Sequence, residues 1–290
     1  MDLGSLEVSP DHTTLAFALD LDGSELYDIF IKKLHGNGNI EANVLKKNPT
    51  FNEPIVKVKS ADEKIDILEA ADEDQASIRK TGGDVEWFND NQTLFYTTRD
   101  KTQRSYQVWR HTLDKTEEPD VLIYQEDDEK FAVGIYKSAS ERFIYLTTSS
   151  SLTSETRFFH ADNPKDLGTV FLPRQYNHLY EVEHQNDRFI ILSNSNQKLN
   201  FAVYGCALEG YADQSKWIEI RKYDPMIHII SVTPFKSHLV LYECSSNGYK
   251  QIRILGGHGI DKVMQFDQAV YSVSVGNVFD CLTLVFRVVL

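Results

Sequence analysis

The sequence predicts an all-β protein, a β-propeller of four-stranded blades, from three observations. A strand–turn unit recurs along the chain, its spacing suits four strands per unit, and the strands are rich in β-branched and aromatic residues bounded by Asn, Asp, Ser and Gly. One copy of the unit reads VEWF, NDNQ, TLFYTT, RDKTQRS, YQVWRHTL, DKTEEP and DVLIYQE in succession over residues 85–126. The next runs from AVGIYKSA through FIYLTTSS and TRFFHADN to GTVFLPR, and two more begin at YEVEHQ and IISVTP. An earlier copy opens at LEVSPDHTTLAFALD.

Equivalent positions in the second strand of each unit are Leu15, Leu94, Phe143, Phe189, Leu239 and Leu282. The last four gaps are 49, 46, 50 and 43 residues, the length of a propeller blade rather than of a shorter solenoid repeat. The first gap is 79 residues, so about 30 additional residues lie between the first two blades, and 46–80 is read as an insertion. Within it SADEKIDILEAADEDQASIRK places Ile65, Leu68, Ala71 and Ala76 among acids, a pattern that suits a short surface helix. The final unit, AVYSVSVGNVFDCLTLVFRVVL, supplies two strands. The expectation is therefore an incomplete ring of about five and a half blades, its missing edges supplied by further sequence or by another chain.

Composition limits the function. The 290 residues are 41% hydrophobic and 25% charged, with a net charge of −13, which opposes attachment to nucleic acid or to anionic membrane surfaces. No apolar run approaches the length of a membrane span and the first residues lack a signal-peptide pattern, so a cytoplasmic location is expected. Cys206, Cys244 and Cys281 lie far apart in apolar strands and read as buried free thiols. No G-x-S-x-G nucleophile elbow occurs, the nine histidines lack metal-ligand spacing and read as surface or edge residues, and LHGNGN and GGHGI are turns without a phosphate-loop lysine. No catalytic residue, metal or cofactor is expected within these residues. Trp87, Trp109 and Trp217 are assigned to strands, and the Gly-His and Trp-Asp pairs of WD40 blades are absent.

The stretches LGSLEVSPDHTTLAFALDLDGSELYDIFIKKL, GGDVEWFNDNQTLFYTTRD, YQVWRHTL, LIYQEDDEKFAVGIYKSASERFIYLTTSSSLTSE and FHADNP, in this order, resemble the propeller domain of the prolyl oligopeptidase family of serine peptidases, and oligopeptidase B in particular. The resemblance covers most of the chain outside 40–80. It implies a seven-bladed propeller truncated here at both ends, and an α/β-hydrolase domain, absent from this sequence, that carries the Ser, Asp and His of the triad. The implied function is substrate filtering and gating for a peptidase that cleaves short peptides after Arg or Lys, this chain alone being inactive. The alternative is a standalone propeller that binds a partner protein.

The acidic run Glu126–Asp127–Asp128–Glu129 allows three readings: a solvated turn, an interdomain contact, or a divalent-ion site, the last lacking the glycine and alternation of a calcium loop. Strand alternation puts this fourth-to-first loop on the same face as RDKTQRS, so Arg99, Lys101 and Arg104 are expected beside Glu126, Asp127 and Asp128. Arg104, Glu126 and Asp127 are the candidate interdomain face.

Overall fold

The computed structural model describes residues 2–34, 58–59, 64–65, 77–113, 119–264, 272–275 and 286–289. The first sheet is built from β1 (Asp2–Val8), β2 (Thr14–Asp20) and β3 (Tyr27–Lys33). Two short strands, β4 (Val58–Lys59) and β5 (Lys64–Ile65), pair with each other, and β6 (Ile78–Thr81) completes the first sheet in the order β1-β2-β3-β6. Residues 78–80, read from sequence as the end of the insertion, thus belong to the first blade. Ile65, assigned above to a helix, lies in a strand, and Leu68, Ala71 and Ala76 fall outside the described residues.

The second sheet holds β7 (Val85–Trp87), β8 (Thr93–Arg99), β9 (Ser105–Thr112) and β10 (Val121–Gln125). The third holds β11 (Ala132–Lys137), β12 (Phe143–Ser149), β13 (Ser154–His160) and β14 (Thr169–Leu172). The fourth holds β15 (Tyr180–Gln185), β16 (Arg188–Ser193), β17 (Ala202–Ala207) and β18 (Ile218–Arg221). The fifth holds β19 (Ile227–Pro234), β20 (His238–Ser245), β21 (Lys250–Gly256) and β22 (Asp261–Val263), and β23 (Ser272–Val275) pairs with β24 (Phe286–Val289). Five four-stranded sheets, each following chain order, are the blades of a β-propeller. Leu15, Leu94, Phe143, Phe189 and Leu239 all occupy second strands, and Leu282 is outside the described residues.

The middles of the second strands are apolar runs because both their faces are covered; every residue of β2 is buried, Thr14 and Asp20 at its ends included. Four of the five turns leading into them share one device. His12, Asn91, Glu141 and Asn186, each just before a second strand, adopt left-handed backbone with φ of 59°, 59°, 58° and 54°. One such residue reverses the chain in the few positions available. Neighbouring polar side chains hold the turn: Asp90 Oδ1 accepts from the backbone N–H of Gln92 and Thr93, and Ser138 Oγ accepts from that of Phe143.

The chain divides into two compact units, Met1–Tyr136 with Phe159–Leu167, and Lys137–Phe158 with Gly168–Leu290. In the first, Ala16, Ala18, Tyr27 and Ile29 of one sheet pack with Val85, Trp87, Leu94 and Tyr96 of the next. Trp87 Nε1 donates to the Glu7 carbonyl at 3.1 Å, so the indole is buried with its polar edge satisfied. The second has an aromatic core around Phe143, Phe158, Phe171 and Phe189, and an aliphatic one in which Ile190, Leu192 and Val203 meet Ile229, Leu239 and Leu241. Trp217 ends a 3-10 turn immediately before β18 rather than lying in a strand; its indole donates to the Tyr211 carbonyl at 2.9 Å. Cys206 is buried, Cys244 is partly buried, both are free thiols, and Cys281 is outside the described residues.

Candidate functional site

In a sheet whose four antiparallel strands follow chain order, the second-to-third loop and the loop leaving the fourth strand emerge at the same end. The β8–β9 loop and the β10–β11 loop therefore meet, and Arg104 joins them. Its Nε donates to Asp100 Oδ2 at 2.9 Å, while its terminal nitrogens donate to the carbonyls of Asp128 at 3.0 Å, Phe131 at 2.8 Å and Glu126 at 3.3 Å. The expected contact is present, but through main-chain carbonyls rather than the acidic side chains. A planar guanidinium with five donors satisfies several carbonyls of one loop at once and needs only one carboxylate, Asp100, as counter-charge.

Glu126 is not an outward-facing acid. It is 4% exposed, and its carboxylate accepts from Tyr124 Oη at 3.0 Å and from the Asp128 N–H at 3.0 Å, which folds the loop over it. Asp127 and Asp128 are exposed, Asp127 accepting from Gln125 Nε2 at 2.7 Å. Arg99 is likewise spent within its unit: it donates to the carbonyls of Glu25 at 2.9 Å and Gly82 at 3.1 Å and lies over the Tyr27 ring. Lys101 is exposed. Of the three residues of the candidate face, Asp127 alone points to solvent, and Arg104 and Glu126 set the shape of the loop that presents it. Among the described residues no group of three His, Cys, Asp or Glu gathers as a metal site, Glu126–Glu129 included.

The second unit presents a different chemistry at the same end of its sheets. Each described connection there exposes one large apolar side chain: Leu152 after β12, Tyr176 after β14, Leu199 after β16, Met226 after β18 and Tyr249 after β20. Leu152, Tyr176 and Leu199 stand around a cavity of about 680 Å³. Composition concealed this face, because each residue is isolated within a polar loop. The carboxamide-rich run NSNQKLN at 194–200 was the one local signal.

Two buried histidines correct the surface assignment. His178 donates or accepts through Nε2 with Ser193 Oγ at 2.8 Å, and His184, 2% exposed, shares a 2.7 Å hydrogen bond between Nδ1 and Ser140 Oγ. The Ser140–His184 pair is not a hydrolytic dyad, since His184 Nε2 is buried without a carboxylate to orient it and the ring packs on Phe143 at 5.1 Å. Burial, with Arg142 adding to it, pushes His184 down to about 4, against smaller opposing contributions from Asp187 and the Asn186 backbone. Beside it burial pushes Glu183 up to about 7; N–H groups of Ala139 and His184 oppose the rise and the like charge of Glu181 adds to it.

These two shifts oppose each other in their effect on stability. Glu183 retains its proton longer when folded, so its contribution is complete below the ordinary 4.5 and is lost as pH rises to about 7. His184 resists its proton when folded, so its contribution is complete above 6.5 and is lost as pH falls toward 4. Glu183→Gln is expected to raise the urea midpoint of the second unit at pH 8, leave it near wild type at pH 5, and steepen the decline below pH 6. An unchanged midpoint at pH 8 contradicts the assignment.

Comparison with known proteins agrees with the architecture. Residues 1–279 match the family described as prolyl oligopeptidase, N-terminal beta-propeller domain. Protease 2 of Moraxella lacunata is 29% identical over 268 residues, 92% of this chain and 33% of that protein. Dipeptidyl aminopeptidase BI of Pseudoxanthomonas mexicana is 25% identical over 93% of this chain and 32% of its own length. The chain thus spans about a third of these curated relatives. Oligopeptidase B from Trypanosoma brucei, in a closed form with covalently bound antipain, superposes with a TM-score of 0.76 at 22% identity, covering 99% of this chain and 37% of that one. Oligopeptidase B from Leishmania major gives 0.77 at 19% identity with the same coverages. At these identities the solved structures speak to the fold.

Proposed function

We propose, on the premise that the chain belongs to the family of prolyl oligopeptidase N-terminal β-propeller domains, that it filters substrates and gates access for an oligopeptidase B-like serine peptidase. The family match over 1–279 carries this reading, and the peptidase names of the two relatives support it. The catalytic partner is an α/β-hydrolase domain, and the substrates are short peptides cleaved after Arg or Lys. The propeller excludes folded proteins by size, and its motion against the catalytic domain admits flexible peptides. The net charge of −13 favours cationic peptides at long range, weakly at physiological salt.

The loop ends support the same reading. Met226 and Tyr249 are the kind of exposed apolar side chains that a partner surface covers. In the first unit Lys101, Asp127 and Asp128 are among the exposed charges available to a partner, in place of Arg104 and Glu126, which are occupied within their own loops. The chain alone, without a nucleophile elbow and with Ser140–His184 unsupported, is expected not to hydrolyse an Arg-amide fluorogenic peptide or to react with a fluorophosphonate. The same assays on the chain joined to its α/β-hydrolase domain should give turnover on Arg and Lys amides and labelling of that domain's serine. Labelling of the 290-residue chain itself contradicts the proposal; an inert joined protein favours a standalone binding propeller.

A further inference from the structure

We infer that the cavity in the second unit is a binding site for an uncharged, extended peptide segment. It rests on the peptidase reading only for the source of that peptide. The chemistry of the lining argues for the ligand class. In a chain with 73 charged side chains, none lines this cavity. Instead, besides Asn194, whose Oδ1 accepts from the Leu179 N–H, Gln175, Asn177, Asn196, Gln197 and Gln214 bring five further carboxamides to it. Among the described residues none of the five side chains is engaged in an internal hydrogen bond. Each carboxamide offers a donor and an acceptor side by side, the same pair that a peptide group presents, so the lining can pair with main chain of any sequence.

Three further observations fit a peptide. Leu152, Tyr176 and Leu199 are 50%, 82% and 77% exposed around the cavity, ready to cover apolar substrate side chains. Two leucines beside one aromatic ring suit aliphatic side chains better than the flat face of a sugar. The volume, about 680 Å³, falls in the usual range of ligand sites. Finally, the walls are held in shape. Asn194 Oδ1 accepts from the Leu179 N–H at 2.9 Å, the Asn194 N–H donates to the Leu179 carbonyl at 3.1 Å, and His178 is bonded to Ser193 Oγ. Asn177, Asn196 and Gln197 are held in left-handed backbone, with φ of 62°, 55° and 62°.

The absence of charge sets the specificity. Placing an unpaired ammonium or carboxylate against amides and leucines costs desolvation without a counter-charge. The site therefore takes a neutral stretch away from the Arg or Lys at the scissile bond. The probe is the capped pentapeptide acetyl-Ser-Leu-Gly-Leu-Ser-amide, titrated into the 290-residue chain by calorimetry, with side-chain amide resonances of Asn and Gln followed by NMR. Binding should shift carboxamide signals, and the double variant Tyr176→Ala/Leu199→Ala should weaken it about tenfold or more while leaving thermal unfolding unchanged. The same peptide with lysine at both serine positions should bind more weakly.

No binding at millimolar peptide overturns the inference, as do equal binding of the lysine peptide, an unaffected double variant, or preference for maltohexaose. The readout does not require peptidase activity. A chain that binds the peptide but gives no peptidase with its partner domain overturns the functional reading alone. An active joined enzyme whose propeller chain ignores the peptide overturns this inference alone.

Discussion

Phe189→Ala is expected to destabilise the second unit by about 3–5 kcal/mol, the range for removing a fully buried ring. Phe189 is 1% exposed, with Phe143, Phe158 and Phe171 at 5.4, 5.4 and 5.2 Å between ring centroids. These come from the second, third and fourth strands of the third sheet, so one side chain on the second strand of the fourth sheet closes the aromatic core. Three ring contacts of this kind each contribute beyond the transfer of area from water, and the neighbouring rings are too constrained by one another to collapse into the space left. The midpoint of urea unfolding, followed by the fluorescence of Trp217, whose ring lies 6.2 Å from Phe171, measures the loss. Phe189→Leu should restore part of it. An Ala variant within about 1 kcal/mol of wild type would show that the cluster repacks freely and that the ring geometry does not set stability.

Glu243→Ala is expected to cost a comparable amount, about 3–5 kcal/mol, for an electrostatic reason. Glu243 is fully buried in the fifth sheet and accepts from Arg221 Nε at 3.3 Å, from Arg253 Nε at 3.0 and 3.1 Å, and from Gln251 Nε2 at 2.7 Å. Removing the carboxylate leaves two guanidinium groups facing each other in a site that water reaches poorly. Asp224 and Asp261, whose side chains are 40% and 53% exposed, also pair with Arg221 and Arg253. The triple variant Arg221→Met/Glu243→Leu/Arg253→Met removes the charges together and should recover most of the loss, since a buried ion network replaced whole by apolar side chains is often neutral. Equal destabilisation of the single and triple variants, measured by urea unfolding, would mean that the site depends on its shape and not on charge balance.

Both sites illustrate where reading the sequence succeeds and where it stops. Phe143 and Phe189 were legible as equivalent second-strand positions, because a strand covered on both faces carries an apolar run through its middle. Glu243 was not legible: in LVLYECSS it alternates like a solvent-facing residue, and its partners are Arg253 on the paired strand β21 and Arg221, which reaches it from β18 of the fourth sheet. Glu126 failed in the same way. An acidic run between strands reads as exposed, yet Tyr124 Oη and the Asp128 N–H satisfy one of its members inside the turn.

By itself the sequence determined the fold class and the four-strand unit, because these depend on short-range alternation and on spacing along the chain; the family rested on the resemblance of particular stretches. The sequence also brought Arg104 to the acidic loop, since strand alternation alone decides which loops share an end. The tertiary structure decided which acids are buried, that Arg104 bonds to carbonyls, that His178 and His184 are interior, and that isolated apolar and carboxamide residues of separate loops surround one cavity. These outcomes depend on distances between residues far apart in the chain, and solvation, unlike periodicity, is a property of the assembled neighbours.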